Sequence, residues 1–156
     1  MIEEDKNYDG VDEELKRADH LIYVSLKYTR TVDVILSVIA RLISVQESLI
    51  DILLEFLEKK KGVKDINMGK PYLIKIKWVR EGFKKDVNVN ELLDFYELLI
   101  KIMKSEHIKK GEFRKGLMLI AQDKSAEVVA EVNVDVLKEY YKNTENLVKK
   151  IQKIVK

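Results

Sequence analysis

The chain contains no cysteine, which removes a disulfide framework, a thiolate zinc site and a cysteine nucleophile together and leaves stability to packing and charge. That composition fits a reducing compartment, so a cytoplasmic location is expected. Histidine is almost as scarce. His20 and His107 stand alone, without a second His at the i+4 spacing of a helical metal site or an HExxH frame, so neither a metal nor a cofactor is expected. The GxxxxGK[ST] phosphate loop, the GxGxxG fingerprint and the GxSxG elbow are all missing. Carboxylates such as Glu106 and Glu112 are plentiful, but no pair is set apart for acid–base work, so the reading leans away from an enzyme.

Two further absences concern membranes and charge. Residues 1–10 carry four acids and one lysine, the reverse of the basic start and apolar stretch of a secretory signal, so no such signal is expected. The most apolar region, 31–57, is interrupted by Asp33, Arg41, Glu47, Asp51 and Glu55 and falls short of the roughly 18 uninterrupted apolar residues of a span. A membrane partner is therefore not expected. Charge of a single sign is lacking too: 29 basic residues against 27 acidic ones leave a net +2, so any attraction for nucleic acid has to be local. Twenty-four of the basic residues are Lys and only three residues are Gln, a thermophilic pattern of charge enrichment and labile-residue depletion.

What is present is helical periodicity. A length of 156 residues suits one domain, 1–156, with an acidic and frayed start over 1–10. Apolar residues at helical spacing predict a helix from 11 to about 28, which Asp9 or Gly10 can cap. The strongest pattern runs over 31–60, opened by Asp33 and closed by Lys59-Lys60-Lys61-Gly62. Whether 29–31 breaks one long helix into two stays open at this stage. On the 31–60 helix, Asp33, Ser37, Arg41, Ser44, Glu47 or Ser48, Asp51, Glu55 and Glu58 form one narrow polar stripe expected to face water. Val32, Ile35, Ile39, Leu42, Gln46, Leu49, Leu53 and Phe56 form one apolar seam and Val34, Val38, Val45 and Ile52 another. A helix apolar on two sides needs many neighbours, and 32–57 is expected to contribute to a homodimer interface.

After a loop at 63–69, Pro71 is placed to be the first residue of a short helix to about Gly82, anchored by Trp78. Asn88-Val89-Asn90-Glu91 reads as a capping box, with Val87 and Leu92 as a hydrophobic staple, opening a helix to about Glu106. Alternation of Val128, Ala130, Val132 and Val134 after the polar 122–125 turn predicts a small β-hairpin near 116–134, with a continued buried helix as the competing reading of 117–121. A last helix runs from Asp135 to the end. The fold class expected is mainly α, an antiparallel bundle of about five helices with that small hairpin. The stretch 87–96 echoes 132–141, which reads as one helix-start device used twice.

Chemistry concentrates in 19–30, where His20, Tyr23, Lys27 and Arg30 recur at three, four and three residues and so share one helical face. Recognition of a phosphate-bearing ligand needs a planar fork such as Arg30, a point charge such as Lys27 and an aromatic face such as Tyr23 or Tyr28. The competing reading pairs Lys27 and Arg30 with Asp19 and Asp33 as ordinary surface charges. A second basic group, Lys109-Lys110 and Arg114-Lys115 around Glu112 and Phe113, can converge on the first in three dimensions.

The stretch from Arg17 through His20, Tyr23, Lys27 and Arg30 to Ile35 resembles small archaeal helical proteins of unassigned function and, more distantly, the HEPN group of dimeric helical bundles. Catalytic members of that group carry an Arg-x4-6-His motif, whereas here two residues separate Arg17 from His20 and no other Arg has a suitable His. What the resemblance implies is architecture and a dimer habit, not ribonuclease activity. Two functions follow as expectations: a non-enzymatic interaction or scaffold protein forming a homodimer through 32–57, and alternatively a HEPN-like RNA- or nucleotide-binding protein or nuclease that uses an aromatic-basic helix face. The alternative uses His20, Tyr23, Lys27, Tyr28, Arg30, Arg114 and Lys115, with RNA or another anionic ligand as partner.

Overall fold

The computed structural model describes residues 2–156, with side chains from Tyr8 onward. It is mainly helical, with five helices and one small sheet. Helix α1 spans Ile2–His20 and continues through a π turn at Leu21–Ser25 into a last α turn, Leu26–Tyr28. Of the start expected to fray, Met1 and the side chains before Tyr8 lie outside the described residues. Residues 29–31 do break the helix. Thr31 is extended, with φ −126° and ψ 154°, and its side chain accepts a bond from the Val34 N–H at 3.4 Å, the N-cap device that opens α2, Val32–Lys60. Gly62, at φ +67°, closes α2 as the sequence indicates.

Helix α3 spans Tyr72–Gly82, with Pro71 one place earlier than expected, at the N-cap rather than the first helical residue. Helix α4 spans Val87–Lys104 and corrects the expected capping box. Asp86 is its cap and accepts from the Val89 N–H at 3.1 Å, so Asn88 lies inside the first turn and Val87 is exposed rather than stapled to buried Leu92. The final helix, α5, spans Val134–Ile154 and is capped by Asn133, which accepts from the Val136 N–H at 2.8 Å. The echo between 87–96 and 132–141 is therefore not one device used twice, since equivalent asparagines cap only α5.

The hairpin near 116–134 forms, as β2 (Met118–Gln122) and β3 (Val128–Val132). Its turn is held by Asp123, whose Oδ1 accepts from Ser125 and Glu127 N–H at 2.9 and 3.0 Å. A third strand went unforeseen: β1, Glu106–Lys110, pairs antiparallel with β2 in the order β1-β2-β3, with Ile108 opposite Ile120. A lone hairpin is marginal, and the extra strand together with packing of β2 and β3 on α4 and α5 supplies what two strands lack.

Helix α2 runs through the middle and packs on α1, α3, α4 and α5. Its two apolar sides are covered by the chain itself: Ile35, Ile39, Leu42, Leu49 and Leu53 are fully buried, and so are Val38 and Val45. The homodimer surface expected at 32–57 rested on those two sides. The polar stripe is also less exposed than expected, because Arg41, Glu47, Asp51 and Glu55 are half-buried, and Arg41 reaches Glu14 of α1 at 3.3 Å. Trp78 packs half-buried against the core, as its anchoring role requires. Among the described residues no helix is long and apolar enough to cross a membrane.

Candidate basic pocket

The π turn in α1 sets the geometry. A π turn takes one residue more than an α turn, so it rotates the residues after it relative to those before it. Tyr23 within the turn, Lys27 after it and Arg30 just beyond the helix end at Tyr28 line one concave pocket of about 350 Å³, whereas His20, before the turn, is not part of the lining. Ile22 and Leu26, both buried, form the apolar base from which these side chains extend.

The opposite wall comes from distant sequence. Lys115 enters from the 111–117 connection, and Asn133, Val134, Asp135 and Lys138 come from the start of α5. The N-terminal end of a helix carries the positive end of its dipole and N–H groups without helical partners, so it adds to the field of the side chains. Lys138 Nζ lies 5.2 Å from the Tyr23 ring centroid, a cation–π contact that joins the two walls. Four cations, Lys27, Arg30, Lys115 and Lys138, thus face one carboxylate, Asp135.

Those cations are not spent on ion pairs among the described residues. Asp33, the acid that was to neutralise Arg30, instead pairs with Lys109 at 3.5 Å, and Lys109 also reaches Glu112 at 3.8 Å. The two basic groups of the sequence therefore meet, but in part. Lys115 joins Lys27 and Arg30, whereas Arg114 is exposed outside the pocket and Tyr28 lies beside it in sequence with 79% of its surface free.

The connection that delivers Lys115 is fastened to the same segment. The Phe113 N–H donates to the Arg30 carbonyl at 2.6 Å. Phe113 holds φ +65°, a left-handed conformation costly for a side chain of this size, and is 75% exposed. The backbone is thus bent to present an aromatic ring to water next to Arg30. Lys138 and the start of α5 were missed by the sequence reading, and the signal available was the Asn-Val-Asp start of that helix, which gives no hint of what it faces.

His107 has a structural position: its Nε2 lies 2.8 Å from the Ile102 carbonyl, linking β1 to the end of α4. No group of three or more His, Cys, Asp or Glu side chains among the described residues is arranged to hold a metal ion. A second polar cluster, also missed, sits between α2, α3 and α4. The Tyr72 hydroxyl donates to Asp51 at 2.7 Å, Lys75 donates to Asp51 at 2.8 Å, and the Tyr96 hydroxyl donates to Glu47 at 2.8 Å. Burial, reinforced by these carboxylate bonds, pushes both phenols well above the ordinary tyrosine range. Comparison of the chain with protein-family models, curated proteins and solved structures finds no match.

Proposed function

We propose that the protein is a non-catalytic binder of single-stranded RNA, gripping phosphates in the pocket lined by Tyr23, Lys27, Arg30, Lys115 and Lys138. The observation that carries this reading is the convergence of four cations, unpaired among the described residues, on one concavity at the start of α5. Arg30 supplies a planar fork, the lysines supply point charges and the helix end supplies N–H donors, which together suit phosphate oxygens. Exposed rings at Tyr28, two residues before Arg30, and at Phe113, whose N–H bonds the Arg30 carbonyl, give unpaired bases surfaces on which to stack. Binding is favoured over cleavage because the pocket holds no histidine and a single carboxylate.

This reading displaces the scaffold reading, whose argument was an apolar α2 in need of a partner, and it assigns the resemblance to HEPN proteins no more than architecture. The test is fluorescence anisotropy with a labelled single-stranded RNA oligomer. Lys27→Ala with Arg30→Ala is expected to weaken binding by roughly tenfold or more, each phosphate contact being charge-assisted. Unchanged affinity in the double variant rejects the site.

A further inference from the structure

A second cleft, independent of the basic pocket, lies where α2, α3 and α4 meet, with a volume of about 580 Å³. Leu73, Ile76 and Ile100 give it apolar walls, and the rings of Tyr72 and Tyr96, 6.3 Å apart and inclined at 55°, stand beside one another within it. Glu47 is the carboxylate that α2 contributes to the lining.

One half of the polar cluster is complete within the chain. Asp51 accepts from the Tyr72 hydroxyl and from Lys75, and the Lys75 ammonium also lies 4.3 Å from the Tyr72 ring centroid. An ammonium is thus satisfied at once by a carboxylate and an aromatic face. The other half repeats the pair one helical turn away, with Glu47 accepting from the Tyr96 hydroxyl through Oε2. No lysine or arginine stands at Glu47: among the described residues it enters no ion pair, and Oε1 accepts no hydrogen bond. Glu97, also at the cleft, is already held by Arg80 at 2.6 Å, which leaves Glu47 as the carboxylate facing the apolar space.

We propose that this cleft binds a small amphipathic amine. The ammonium is held by Glu47 and the tyrosine rings, repeating what Lys75 does at Asp51, and the alkyl or aryl body lies against Leu73, Ile76 and Ile100. The chemistry is that of organic-cation recognition, an aromatic face plus a carboxylate in an apolar surround. Lys101 and Lys104, exposed at the same cleft, define the competing polarity, in which a ligand carboxylate is preferred.

Titration calorimetry on the full chain with 2-phenylethylamine, 2-phenylethanol and 3-phenylpropionate separates the cases, since the three share one apolar body. The amine is expected to bind at least about tenfold more tightly than the other two. Glu47→Gln keeps an acceptor for the Tyr96 hydroxyl and so preserves the fold. It is expected to weaken the amine by roughly tenfold to a hundredfold and leave the alcohol unchanged. Leu73→Ala, at an exposed position, weakens the amine several-fold through its body. Lys27→Ala with Arg30→Ala leaves amine binding as it was, which keeps this site distinct from the RNA pocket. Equal binding of all three ligands, preference for the carboxylate, absence of amine binding at millimolar concentration, or indifference to Glu47→Gln each overturns the proposal.

Discussion

Gly111 has no room for a β-carbon. One built there meets the Gly116 carbonyl oxygen at 2.5 Å, and the residue already sits at φ +64°. Both the conformation and the closeness of two backbones demand glycine, because the obstructing atom cannot rotate away. Gly111→Ala is expected to cost roughly 1–3 kcal/mol from conformation alone. It also loosens the connection that ties Phe113 to Arg30, so RNA affinity falls together with the melting temperature. The buried tyrosines carry a pH dependence of stability. With Tyr72 and Tyr96 raised in the folded state, the fold keeps their protons after the unfolded chain begins to lose its own, at about pH 10. Stability from this source is fully present below that pH and declines as pH rises beyond it. Tyr72→Phe with Tyr96→Phe is expected to flatten the decline in chemical denaturation curves measured on either side of pH 10. A decline as steep as in the parent chain places its origin elsewhere.

At the scale of elements, α3 is short and depends on its neighbours. Arg80 binds Asp94 and Glu97 of α4 at 2.7 and 2.6 Å, and Lys75 binds Asp51 of α2 with only 5% of its side chain exposed. Removing one partner of a buried pair leaves the other charge unsolvated, whereas replacing the buried member by an apolar chain of similar length does not. Asp51→Ala is therefore expected to cost roughly 3 kcal/mol and Lys75→Met about 1 kcal/mol, since the Asp51 side chain is 33% exposed and retains Tyr72. Urea denaturation measures both, and an equal cost contradicts the buried-charge argument. The helices α2 and α5 and the β2–β3 hairpin were legible because periodicity and turn chemistry are local. The strand β1 was not, because Glu106–Lys110 is half-exposed at a sheet edge and its polar composition carries no alternation for a reader to find.

For the whole molecule, a net charge of +2 gives no general pull on nucleic acid, so binding must behave as a local contact. The logarithm of the RNA association constant is expected to fall linearly with the logarithm of salt concentration, with a shallow slope reflecting few phosphates. Replacing Lys115 and Lys138 by Ala should reduce that slope by about one to two units relative to the parent chain. An unaltered slope indicates that the phosphates lie elsewhere on the surface.

The sequence by itself determined the helical class, the central apolar helix and the Tyr23, Lys27 and Arg30 face, all of which depend on residues within a few turns of one another, while the break and cap at Thr31 came from the structure. The tertiary structure decided what that face meets. Lys115 and Lys138 reach it across long stretches of chain, His20 is left out of the pocket lining, and Asp33 is diverted to Lys109. It also decided that α2 is covered by its own chain, and that Glu47 and Asp51 are half-buried and accept from tyrosine hydroxyls. The physical reason is the same in each case: periodicity reports which side of an element is apolar, while charge and hydrogen-bond partners are set by distances between elements, which spacing along one chain does not contain.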